Sequence, residues 1–255
     1  MDSYQLITGQ SWSKVAYGTS RRDMPGVSEG SFAGFNLGLH CGDVPEHAQA
    51  NRERLKDLLP YAPIWLNQVH GIAVYDADVE QSQDKTADAA VTTRSDCVLA
   101  IMTADCLPVV FACDDGTVIA AAHAGWRGLC AGVLEEAVKA MRHKMAQLGI
   151  QQQSIRAWIG PAISYDCFEV GEEVLLAFTQ LDAMVSQFFK PHPSLEGKWF
   201  ADLPAIAKYR LNLQGVQEVE LSHYCTFQEA NLFYSYRRES PTGRLATFVW
   251  KTTNS

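Results

Sequence analysis

Three side chains of this 255-residue chain have the chemistry to share one ion: His70, Cys106 and His123. Each lies in a compact polar cluster, Asn67-Gln68-Val69-His70-Gly71, Thr103-Ala104-Asp105-Cys106-Leu107-Pro108 and Ala122-His123-Ala124-Gly125-Trp126-Arg127-Gly128. Two imidazoles and one thiolate are borderline-soft donors that suit zinc. Three protein ligands leave a fourth position open for water or substrate, which is the pattern of catalytic zinc. The same Cys106 and His123 have a second use without metal, as a thiolate–imidazolium nucleophile pair. Spacing alone leaves both open. The ordinary roles of these residue types are also present in the chain: Cys97, Cys113 and Cys130 read as small buried hydrophobes, and His47, His143 and His192 as hydrogen-bonded surface or core positions.

The three clusters fall at the ends of predicted strands, where an α/β scaffold presents reactive groups. Residues 63–66 read as a strand arriving at the first cluster. Residues 98–103 are a continuous apolar run, as in a strand covered on both faces. Residues 108–112 and 117–122 flank Asp114-Asp115-Gly116, a hairpin signal. A turn near residue 115 is midway between 106 and 123, which predicts Cys106 and His123 opposite each other across the ladder. Helices are expected over 43–59, capped by Asp43 with Pro45 in the first turn, and over 129–148, ending at Gly149. Further helices are expected over 171–179 and 203–213, and strands over 155–160 and 246–251. Strands and helices interleave, so the expected class is α/β, an α+β sandwich of mixed sheets with hairpins covered by helices. The loop-forming stretch 191–197 is too short to divide domains, so one domain over 1–255 is expected.

Composition narrows the function. The chain is 47% hydrophobic and 20% charged, ordinary for a globular protein, with 21 basic against 29 acidic residues and a net charge of −8. No basic stripe exists for a phosphate backbone, so polynucleotides are not expected partners, whereas a small anion on one or two Arg is. Seven scattered cysteines without a C-x-x-C pair argue against a disulfide framework. Residues 1–5 lack a charged-then-apolar leader, and no apolar run reaches the ~20 residues of a membrane span. A soluble, cytoplasmic, reducing setting is expected.

Six blocks, in order along almost the whole chain, resemble the YfiH-like, laccase-domain family, whose members are described as purine nucleoside phosphorylases, polyphenol oxidases or peptidoglycan-editing factors. They are FNLGLHCGD (from Phe35), NQVHG (from Asn67), ADCLPV (from Ala104), HAGWRG (from His123), IGPAISYDCFEVGEEV (from Ile159) and the tail from Cys225 to Arg244. The resemblance implies one zinc on His70, Cys106 and His123, with copper as the lesser alternative. It implies phosphorolysis of adenosine, inosine, guanosine and S-methyl-5′-thioadenosine, with adenosine deamination at the same site. It also implies a sandwich with a cysteine-hydrolase-like placing of Cys and His. The expected partners are small-molecule substrates, purine nucleosides and phosphate, with a monomer favoured.

Those activities need further groups. Deamination needs a carboxylate to shuttle protons, for which Asp105 and Glu169 are candidates; Asp105 equally suits hydrogen bonding to a ligand segment. Phosphorolysis needs phosphate held near C1′, and Arg127 is the first candidate. Arg237 and Arg238 form a second candidate anion site. Asn36, Gln68 and His40 suit ribose or base, although Asn36 equally suits holding its own turn. Trp126, Phe168 and Tyr224 are candidates to stack a purine. Competing readings are a copper polyphenol oxidase, a cysteine hydrolase with Cys106 as nucleophile and His123 as base acting on peptidoglycan precursors, and a nucleoside-sensing binding module. Seven His without an H-x-H pair are a poor match to multicopper chemistry.

Overall fold

A computed structural model describes residues 5–79, 84–150 and 153–252. The stretch 1–4, read above for a leader, lies outside the described residues. Among the described residues, thirteen strands form three sheets. The largest contains, in spatial order, β12 (Glu218–Leu221), β8 (Ile155–Ile159), β6 (Leu107–Cys113), β7 (Ile119–Ala124), β4 (Ala89–Thr92) and β3 (Val74–Asp76). Its outer pairs are parallel and its inner pairs antiparallel, so the sheet is mixed. The second contains β1 (Val15–Thr19), β13 (Leu245–Lys251), β5 (Val98–Thr103) and β2 (Pro63–Trp65). A small third sheet joins β10 (Phe189–Pro191), β11 (Lys198–Ala201) and β9 (Glu169–Gly171).

The layers follow from which residues each strand turns to each side. Val109 and Phe111 of β6, with Ala120 and Ala122 of β7, share a core with α3 (Val133–Gln147), α4 (Glu172–Thr179) and α5 (Leu203–Leu213). The alternate residues Val110, Ala112, Ile119 and Ala121 meet Leu99 and Ile101 of β5 and Val249 of β13. The outer residues Val98, Ala100 and Phe248 are covered by Met24, Phe35, Leu37 and Leu55, beside α1 (Pro45–Arg54). The two sheets are therefore each buried on both faces, which is why β5 and β6 read as unbroken apolar runs. The mixed α/β sandwich expected from the sequence is the fold observed.

Several local expectations need correction. Asp43 does not cap α1: the cap is Val44, and the Asp43 carboxylate instead accepts hydrogen bonds from Ser28 Oγ and Asn36 Nδ2. The helix expected over 129–148 is two helices, α2 (Trp126–Ala131) and α3, broken by Gly132 at φ 107°. Hydrophobic periodicity runs on across the break, because Leu129, Val133 and Ala137 face one core. The stretch 191–197 joins β10 to β11 within the small sheet.

The hairpin register also differs from the expected one. A four-residue loop, 114–117, closes on the Cys113 N to Val118 O bond, and Pro108 is the Cα partner of His123. Cys106 therefore lies opposite Gly125, and His123 is reached diagonally.

Candidate metal centre

The ladder partner of His123 on its other side is Asp88. β7 pairs with β4 at Ala122–Ala89, and the next step in register sets His123 against Asp88, with His123 N donating to Asp88 O at 2.6 Å. Their side chains meet as well: His123 Nδ1 is 2.8 Å from Asp88 Oδ1. The carboxylate, fully buried, also accepts from the backbone amides of Val69, His70 and Gly71 at 3.1, 2.9 and 2.7 Å. One buried group thus fixes the His123 ring and the His70 loop together. Burial opposes ionising Asp88, but the bonds from His123 and from the 69–71 amides outweigh it and hold its carboxyl below the usual range.

His70, Cys106 and His123 converge in front of this anchor. One donor atom from each lies within 4.8 Å of the others, and Cys106 Sγ is 4.0 Å from His70 Nε2. The two imidazoles meet edge to face with centroids 4.7 Å apart. With Nδ1 of His123 committed to Asp88, its Nε2 is left for the cluster, the arrangement in which a carboxylate sets the tautomer of a metal-binding His. Tetrahedral zinc bonds of about 2.0–2.3 Å are reachable from this spread by small side-chain rotations. The donor set therefore fits a single metal ion. Burial raises the Cys106 thiol, yet the facing His123 charge and hydrogen bonds from both imidazoles bring it down to about 6. Burial likewise disfavours charged His123, but the Cys106 thiolate and Asp88 push it up to about 9. Between those two values the metal-free pair is a thiolate and an imidazolium.

The backbone is strained where the donors project. His70 has φ 60° and Asp105 φ 99°. Such angles cost a non-glycine residue of order 1–3 kcal/mol, and each is pinned: His70 by Asp88, and Asp105 by Thr226 Oγ1 and Arg237 N on its two oxygens, at 2.7 Å each. Gly125 completes the packing. A Cβ there would lie 2.8 Å from His70 Cδ2 and 3.0 Å from Cys106 Sγ, so only glycine leaves room for both.

The cluster opens on a cavity of about 860 Å³, also lined by Gln68, Asp105, Phe168 and Arg237. That volume is in the range of small-molecule sites. His40 lines it too. Gln68 faces it but spends its amide on Met102, donating to the carbonyl and accepting from the N–H at 2.8 Å each, which prolongs the β2–β5 pairing by a side chain. Both Asp105 oxygens are engaged as above, which suits positioning Cys106.

Other expected contacts fall elsewhere. Arg127 is exposed, lies over the Trp126 ring at 4.4 Å and is not on the cavity wall. Its place in the first turn of α2 turns it outward. Asn36 is 0% exposed; its Nδ2 donates to Gly38 O and Asp43, and its Oδ1 accepts from Gly38 N and Arg244 N, so it holds a turn and has no access to substrate. Arg238 donates to three backbone carbonyls. The Glu169 carboxylate faces His192 and Lys198, and Tyr224 stacks edge-on against Phe233. Sequence reasoning missed Asp88; its signal was a lone acid inside the apolar run Ala87-Asp88-Ala89-Ala90-Val91.

Residues 16–252 match the family described as multi-copper polyphenol oxidoreductase laccase. The chain is 46% identical over 227 residues to purine nucleoside phosphorylase YfiH of Escherichia coli (strain K12), covering 88% of this chain and 89% of that protein. It is 44% identical over 225 residues to a purine nucleoside phosphorylase of Pseudomonas aeruginosa, covering 88% and 89%. A crystal structure from Neisseria meningitidis superposes with a TM-score of 0.89 at 37% identity, covering 98% of this chain and 100% of that one. YlmD from Geobacillus stearothermophilus gives 0.80 at 26% identity, covering 97% and 100%.

Proposed function

This chain belongs to the multi-copper polyphenol oxidoreductase laccase family, and from that premise we propose that it is a zinc-dependent purine nucleoside phosphorylase. Its substrates would be adenosine, inosine, guanosine and S-methyl-5′-thioadenosine, with adenosine deamination as a second activity. The observation that carries the reading is a three-donor cluster opening on a large cavity, in a chain whose relatives are named purine nucleoside phosphorylases. Among the described residues one His/Cys group has metal-binding spacing. That supports one-centre chemistry in preference to a multicopper oxidation, which gathers several metals.

His70, Cys106 and His123 would hold the ion, and zinc, when bound, supplies Lewis acidity and acidifies water. The protein's own residues do the rest. Asp88 holds His123 in the donor tautomer. Asp105, fixed by Thr226 and Arg237, sets the Cys106 backbone. Phe168 offers the purine an apolar face on the cavity wall. In phosphorolysis a phosphate oxygen bonds to C1′ and the C1′–N9 bond breaks, its electron pair passing to the purine. The proton of hydrogen phosphate ends on a purine nitrogen, leaving ribose 1-phosphate.

A second reading has its own support: Asp88, His123 and Cys106 are ordered as an orienting acid, a base and a nucleophile. The deciding experiment supplies adenosine to metal-quantified protein, with and without phosphate, and follows adenine, ribose 1-phosphate and inosine by mass spectrometry. Phosphate-dependent adenine that is lost in Cys106→Ala together with the metal is the expected result. Inosine alone would make the protein a deaminase. No product from zinc-loaded protein would overturn the reading in favour of the cysteine hydrolase.

A further inference from the structure

We infer that Arg52 and Arg244, both on the cavity wall and both anchored to the loop 37–41, form a phosphate subsite that takes free orthophosphate. The inference rests on the phosphorolysis reading and gives its nucleophile a place. Arg52 reaches the cavity from α1. Its Nε donates to Leu37 O at 2.8 Å, its guanidinium lies 3.9 Å from the Trp65 ring centroid, and Nη2 is 3.3 Å from Met102 Sδ. None of these neighbours is an acid. Arg244 enters from the other side of the same loop: Leu37 N donates to its carbonyl at 3.1 Å, and its stem rests on Gly38. A Cβ at Gly38 would lie 2.7 Å from Arg244 Cγ, so the glycine lets the arginine pass along the loop into the cavity.

Among the described residues neither guanidinium has a carboxylate within 4.0 Å. A half-buried cation without a counter-charge is costly, and a tetrahedral dianion is what two guanidinium forks neutralise best. Burial already pushes the Arg52 guanidinium down to about 10. The two guanidiniums bond only neutral groups, Arg52 Nε to Leu37 O and Arg244 Nη1 to Thr242 O and Gly243 O, and a further group on the same wall has no partner at all. Thr103 Oγ1, on a residue 2% exposed, has no hydrogen-bond partner and borders the cavity. It stands in the chain between Met102, which touches Arg52, and Cys106 of the cluster. Met102 and Cys106 are four Cα steps apart, at most about 14 Å of chain, a reach that a nucleoside with phosphate beside its sugar can span. Arg127, outside the cavity, has no such opportunity.

The test uses metal-loaded, full-length protein and two readouts. Orthophosphate binding is measured by isothermal titration calorimetry, and the phosphate and adenosine KM values by steady-state phosphorolysis. The variants are Arg52→Gln, Arg52→Lys, Arg244→Gln and, for comparison, Arg127→Gln, each checked for folding by circular dichroism. Arg52→Gln and Arg244→Gln are expected to weaken phosphate binding and raise its KM at least tenfold, with the adenosine KM within threefold. Arg52→Lys should recover part of the loss, and Arg127→Gln should change neither. Unchanged phosphate binding in folded Arg52→Gln and Arg244→Gln overturns the inference even if phosphorolysis is real. Phosphate binding that depends on both arginines, without turnover, upholds the subsite while the phosphorylase reading falls. Adenosine 5′-monophosphate is the other source of the same dianion. If it binds in an Arg52-dependent way and orthophosphate does not, the assignment to free phosphate is overturned.

Discussion

Asp88 accepts four hydrogen bonds at one buried carboxylate, and they hold two of the three candidate ligands. Removing its charge should therefore disturb both the tautomer of His123 and the loop that presents His70. In Asp88→Asn, metal affinity is expected to fall about 10–100-fold, the range for partners of metal-bound His, as read by chelator competition. The metal-free protein offers a second measurement. Alkylation of Cys106 should have a midpoint near pH 6, because the thiolate is stabilised by charged His123. His123 is raised above its ordinary value partly by Asp88, so in Asp88→Asn the imidazolium is lost at lower pH and the thiol midpoint should move upward. A midpoint unchanged between wild type and variant would detach Asp88 from the pair.

At the scale of elements, the cluster sits where the start of β6, the end of β7 and the start of β4 meet. Gly125 follows β7 and lies opposite Cys106 across the hairpin. Gly125→Ala should abolish stoichiometric metal binding, since its Cβ would meet atoms of His70 and Cys106 inside 3.1 Å. Gly71→Ala, whose Cβ would find neighbours no closer than 3.5 Å, should keep the metal. Metal content by mass spectrometry separates the two. This junction was only partly legible in the sequence. The donors announce themselves by type and by position at strand ends, and long apolar runs mark β5 and β6. Register depends on loop closure, and a four-residue loop moved the pairing so that His123 faces Pro108 and Asp88. Gly132 breaks a helix that periodicity alone carries through. Short strands such as β3, β9 and β10 gain their extended form from neighbours distant in sequence, so no local pattern marks them. Two of the three arginines on the cavity were hidden for the same reason, since Arg52 and Arg244 are related only through a loop that both contact, whereas Arg237 is marked by its own basic pair.

Over the whole molecule, the two larger sheets and their helical covers are held by apolar packing, with partly buried ion pairs at the seams. Lys144 of α3 reaches Asp76 and Asp78 at 2.7 and 2.8 Å, tying the helix to the end of β3. Burial opposes ionising Asp78, but Lys144, Thr92 and Thr93 more than offset it and hold its carboxyl far below the usual range. A depressed carboxyl contributes stability that is complete above its unfolded value, about 3.9, and is lost as pH falls through the folded one. The urea midpoint should accordingly drop as pH is lowered below about 4. Lys144→Met should flatten that drop and cost about 1–3 kcal/mol at neutral pH. An acid limb as steep in the variant as in the wild type would remove this tie from the account. No helix among the described residues is long and apolar enough to cross a membrane.

β13 is inserted between β1 and β5, and its residues pair with Val15–Thr19 near the other end of the chain. The same late region supplies Thr226 and Arg237, which hold Asp105, and Arg244 on the cavity wall. During synthesis the three donors emerge long before these residues do. A nascent chain stalled after β7 would carry all three candidate ligands and none of the tail contacts that shape the pocket around them. The pocket is therefore completed last, when the final strand closes the sheet, and a chain shortened before β13 would carry the donor cluster without the last strand that seats the sheet around it.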